Sequence, residues 1–70
     1  MKTHKHEFNL GDGWFGNIEY WFEGSTTKGI MFVTSEYSLG VSWQEHFEVQ
    51  NASEDLMIEY CEKYIRENNT

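Results

Sequence analysis

The sequence predicts an α+β domain: a three- or four-stranded antiparallel β-sheet with one carboxy-terminal α-helix packed on one face. Apolar residues alternate with a period of two through most of residues 5–49, turn-forming residues interrupt that alternation, and helical spacing takes over near Gln50. No proline, low-complexity run or repeat divides the 70 residues. A single domain over 1–70 is therefore expected, strand-rich over 5–49 and helical over about 52–67.

Residues 5–10 place His6, Phe8 and Leu10 on one side of an extended segment. Gly11-Asp12-Gly13 then supplies the positive-φ residues of a tight hairpin turn. Residues 14–23 set Trp14, Ile18, Tyr20 and Phe22 against Phe15, Asn17, Glu19, Trp21 and Glu23. Gly16 in this strand is expected to relieve a bulky cross-strand neighbour or to mark a bulge. Gly24 to Gly29 reads as the next connection, and residues 30–35 follow as a strand that is apolar on both sides. After a turn around Glu36 to Ser38, the odd positions Leu39, Val41, Trp43, Phe47 and Val49 line one face. Glu45 interrupts that row and predicts a bulge or strand end.

Asn51 and Ser53 compete as the helix cap, so the helix should begin at 52–54. At about 100° per residue, Leu56, Tyr60, Tyr64, Met57, Cys61, Ile65 and Ile58 share one broad arc, with Asp55, Glu59, Glu62, Lys63 and Arg66 opposite. Glu59–Lys63 and Glu62–Arg66 are i,i+4 pairs in the favourable order. One helix of this length covers one sheet face. If it lies over Ile18, Tyr20, Ile30, Phe32, Leu39, Val41 and Trp43, the opposite face displays Phe15, Trp21, Met31 and Val33. Such a patch meets a second copy or a partner, or the amino-terminal residues fold over part of it.

Composition narrows the function. Twelve aromatic side chains and a formal charge of −7 share this short chain. Aromatics give large apolar contact area at low entropic cost, and excess carboxylate repels phosphate while attracting basic surfaces. The charge is diffuse, net −4 over residues 1–50 and net −3 over 51–70. Asp55, Glu59 and Glu62 fall along one helical edge, and Glu45 and Glu48 add charge from the sheet. These five are the candidate acidic partner-binding residues; Phe15, Trp21, Met31 and Val33 are the candidates for apolar self-association or partner binding. The bland alternative is that the carboxylates only solvate a surface. The five basic residues form no stripe, so direct nucleic-acid binding is not expected.

No catalytic, cofactor or metal site is expected. Gly11-Asp12-Gly13-Trp14-Phe15-Gly16 has the letters of a dinucleotide-binding fingerprint, but it opens a strand rather than a helix. His4 and His6 have chelating spacing if His46 or Glu7 supplies a third ligand, although terminal histidines are more often polar surface. Cys61 falls in the apolar arc and reads as a buried structural thiol rather than a nucleophile. Its isolation, and the lack of an apolar run behind Lys2 and Lys5, predict a cytoplasmic, non-membrane protein.

The small acidic build is similar to that of many virus-encoded inhibitors of host restriction or nucleic-acid-guided defence, a likeness of composition that transfers no residue roles. The expectation is a non-catalytic protein-binding module, an inhibitor that blocks a basic, nucleic-acid-binding site on a host protein. The alternative is a homodimeric structural or accessory subunit that uses the aromatic sheet face.

Overall fold

The computed structural model describes residues 2–68. Four strands, β1 (His4–Gly11), β2 (Trp14–Glu23), β3 (Thr26–Ser35) and β4 (Ser38–Gln50), precede one helix, α1 (Glu54–Asn68). The strands form an antiparallel meander in sequence order, and α1 packs across β1, β2 and β3 on one face. The predicted α+β architecture is thus the observed one, with four strands. None of the described helical residues forms a span long and apolar enough to cross a membrane.

The first hairpin turns through Gly11, Asp12 and Gly13, all at positive φ. The second is tighter than the sequence reading. Glu23 pairs with Thr26, so only Gly24 and Ser25 form the loop, with Gly24 at φ 64°. A two-residue turn of this kind suits the twist of the flanking strands. It also sets the register so that even positions of β2 face odd positions of β3. Ile18 pairs with Met31 and Gly16 with Val33.

This register overturns the expected division of faces. Met31 and Val33 are buried beneath α1 with Ile18 and Tyr20, whereas Ile30 and Phe32 lie on the uncovered face with Phe15 and Trp21. A strand that is apolar on both sides does not itself say which side is the core; a one-residue shift exchanges the two.

Two glycines make the sheet pack closely. Gly16 faces Phe8 across β1–β2, and a side chain at Gly16 would collide with that ring. Gly29 faces Phe47 across β3–β4, and a side chain there would collide with Phe47 and the Glu19 carbonyl oxygen. Each edge strand therefore lays a phenylalanine over a glycine of its inner neighbour. The expected relief at Gly16 is this arrangement.

β4 departs from its predicted row at the near end. The register jumps between Ser38, opposite Ser35, and Trp43, opposite Val33, so residues 39–42 have no ladder partners of their own. Leu39 and Val41 consequently lie in solvent rather than on the helix side. The irregularity expected near Glu45 falls here instead, and Glu45 continues the ladder opposite Met31.

Ser53, rather than Asn51, caps α1: its Oγ accepts the Leu56 N–H at 3.2 Å and its carbonyl accepts the Met57 N–H at 3.0 Å. Asn51 turns the chain at φ 55°, and its N–H donates to the Ser25 carbonyl. The buried stripe of α1 is Met57, Cys61 and Ile65, the centre of the predicted arc. Leu56 and Tyr60, at one margin of the arc, are 64% and 55% exposed, because the helix turns that margin away from β2 and toward β4.

Candidate protein-binding site

The position of α1 covers the helix-side surface of β4 only in part, leaving Trp43, Phe47 and Val49 half-buried against the core. Trp43, Glu45, Phe47 and Val49 project from β4 toward the helix layer, opposite Val33, Met31, Gly29 and Thr27. Leu56, Tyr60 and Tyr64 form the facing wall along α1, and Ala52 closes one end. The groove between them holds about 280 Å³. Trp43 and Tyr60 each lie near the Tyr64 ring, with centroids 6.1 Å apart in both pairs. Glu45 and Glu48 are the charged residues of the groove's lining. A hydrogen bond to the Glu45 carboxylate holds the Tyr64 hydroxyl above its ordinary pKa, with burial adding to the effect.

The predicted acidic residues converge only in part. Asp55 and Glu59 lie exposed on α1, whereas Glu45 and Glu48 both border the groove, the Glu48 carboxylate standing 3.8 Å from the Lys28 ammonium. Glu62 reaches back to β1, where one carboxylate oxygen stands 2.9 Å from His6 Nε2. It is therefore engaged with His6, while Arg66 of the expected Glu62–Arg66 pair lies over the Phe8 ring at 5.0 Å. Glu54, at the start of α1, accepts a hydrogen bond from the Tyr20 hydroxyl at 2.8 Å. Burial first, and then this bond, push the Tyr20 pKa up to about 12.

The uncovered face carries two of the four predicted apolar residues, Phe15 and Trp21, together with Ile30 and Phe32. All four are half-buried by sheet neighbours. Polar groups run between them. Trp21 Nε1 donates to Glu23 at 2.6 Å, which lowers the Glu23 pKa, and Lys28 lies 3.4 Å from Glu23. Asn17 donates to the Phe15 and Phe32 carbonyls and to Thr34 Oγ1. These polar groups interleave with an apolar set in which Ile30 and Phe32 take the places expected for Met31 and Val33.

The histidine pair shares a face as its spacing predicts, but each ring is otherwise occupied. His4 stacks on Tyr20 with centroids 5.2 Å apart, and His6 meets Glu62. His46 and Glu7 project from the other face, so neither joins them. Cys61 is fully buried, and burial pushes its thiol pKa up to about 11.

The groove was missed in the sequence because its two walls come from elements read separately. The signal was available: Leu56 and Tyr60 at the margin of the helical arc, and Phe47 and Val49 on β4, are more apolar surface than one helix placed over β2 can cover.

Residues 1–68 match a family of unknown function, DUF5487. A relative from enterobacteria phage T4, an uncharacterised 8.2 kDa protein of the Gp46–Gp47 intergenic region, is 34% identical over 61 residues. The match covers 87% of this chain and 90% of the relative. No solved structure matches the chain.

Proposed function

Because the chain belongs to the DUF5487 family and shares most of its length with a phage T4 protein, we propose that it is a small, acidic, non-catalytic protein-binding module of phage type. The observation that carries this reading is the groove along the half-buried helix-side surface of β4, flanked by the solvent-exposed Leu56 and Tyr60. Large apolar side chains exposed side by side, within a protein of net charge −7, are more useful to a partner than to the fold. The partner contributes a basic surface, drawn in by the carboxylates and then held by the apolar groove. On a host protein whose basic surface binds nucleic acid, such docking inhibits by occupation.

The test is affinity capture from the host with the parent chain and with a Leu56→Asp, Tyr60→Ala double variant. The parent should retain a discrete host protein that the variant, folded by circular dichroism, loses. Added polynucleotide and raised salt should both release that protein. Equal retention by the folded variant would refute the assigned surface, and retention insensitive to polynucleotide would remove the inhibitor role at a nucleic-acid site. The homodimer reading draws on Phe15, Trp21, Ile30 and Phe32 instead. Sedimentation at micromolar concentration decides it, since Trp21→Glu should dissociate such a dimer without unfolding the monomer.

A further inference from the structure

The groove has the dimensions and charge of a seat for a helix. Packed helices lie about 8–10 Å apart between axes. Helix α1 rests on β1, β2 and β3, with β2 in the middle, and β4 lies two strand spacings, roughly 9.6 Å, from β2. A second helix beside α1 at ordinary packing distance therefore lies over β4, on Phe47 and Val49, with the Tyr64 ring, itself beside Trp43, bounding one end. Its length is bounded too: Leu56 to Tyr64 spans about 12 Å along α1, or roughly two helical turns. Apolar anchors at i, i+4 and i+7 cover that distance.

Charge selects among helices. Glu45 stands on the floor between the Trp43 and Phe47 positions, exposed, and among the described residues it belongs to no ion pair. Its neighbour is the Tyr64 hydroxyl, a neutral donor. A cation delivered from above would meet a carboxylate at the end of the apolar floor, whereas an anion there would meet like charge. Resting on the binding-module reading above, we propose that the groove takes an amphipathic basic helix of a partner protein, with two or three apolar anchors beside α1 and one lysine or arginine on Glu45.

The experiment uses the whole chain, isotope-labelled, titrated with an 18-residue helical peptide carrying leucine at i, i+4 and i+7 and lysine on the same face, and with the same peptide carrying glutamate there. The lysine peptide should shift the amides of residues 43–49 and 56–64, and should bind at least tenfold more tightly than the glutamate peptide. In Glu45→Lys that preference should reverse. No saturable binding by either peptide, equal affinity for both, or shifts confined to the Phe15 and Trp21 face would overturn the proposal. Groove shifts that follow protein concentration without peptide would assign the seat to a second copy and also overturn it. Host-protein capture that still depends on Leu56 and Tyr60 after a negative titration would leave the binding-module reading standing.

Discussion

Replacing Gly16 with alanine tests the close packing of the sheet, because two opposed effects meet at one atom. Alanine restricts the unfolded chain, and where space permits it stabilises by about 0.4–1 kcal/mol. Gly16 lies outside the positive-φ region, so backbone conformation does not oppose the change. Space does. The added carbon would lie 2.7 and 2.8 Å from the two ε carbons of Phe8, closer than real contacts allow, and closer still to the ring tip. Overpacking of this kind costs about 1–3 kcal/mol. The net expectation is a loss of about 1–2 kcal/mol, which lowers the melting temperature of a domain this size by about 5–15 °C.

Phe8 can yield because β1 is an edge strand, but its ring also carries the Arg66 guanidinium, so yielding disturbs the end of α1. Thermal and urea melts of Gly16→Ala, Phe8→Leu and the double variant close the cycle. Phe8→Leu should cost less in the alanine background than in the parent, with a coupling of about 0.5 kcal/mol or more. A Gly16→Ala protein as stable as the parent, or strictly additive effects, would refute the reasoning. Gly29→Ala should be worse than Gly16→Ala, since a backbone carbonyl cannot swing aside as a ring can.

Other expectations follow from burial and titration. Met57→Ala and Ile65→Ala should each cost about 2–4 kcal/mol in denaturant melts, and Leu56→Ala, at the exposed margin of the helical arc, less than about 1 kcal/mol. Tyr20→Phe should lose about 1 kcal/mol near neutral pH with the bond to Glu54. In the parent, the raised Tyr20 pKa adds stability that is complete below about pH 10 and is lost as pH rises toward about 12. Alkaline melts of Tyr20→Phe should lack that share of the decline. Cys61 contributes in the same direction between about pH 9 and 11, and its modification by a thiol reagent should proceed only as fast as the chain opens.

The strands and helix were legible because period two and period 3.6 are separate signals, and Gly11-Asp12-Gly13 marks the first hairpin in its own residues. The partition of faces was not. Residues 30–33 read Ile-Met-Phe-Val, apolar at every position, so their orientation depends on the loop before them, where two residues and not six make the turn. The same limit governed the candidate surface. Acidic residues can be counted in a sequence, but whether Glu62 faces a partner or His6 depends on where α1 lies on β1. The helical edge that groups Asp55, Glu59 and Glu62 says nothing of the strand beside it.

The meander has a bearing on how the chain is made. Every strand pairs with its neighbour in sequence, so the sheet can assemble from short loops at small entropic cost, in the order of synthesis. The layer that completes the core comes last. Until residues 54–68 emerge, Ile18, Met31 and Val33 face water on one side of a nascent sheet with two open edges. A 15-residue helix is itself marginal alone in water, so α1 gains its stability by landing on that surface. Each layer is thus the other's folding template, and a chain that stops short of the Ser53 cap is left as a sticky sheet prone to pair with its own copies.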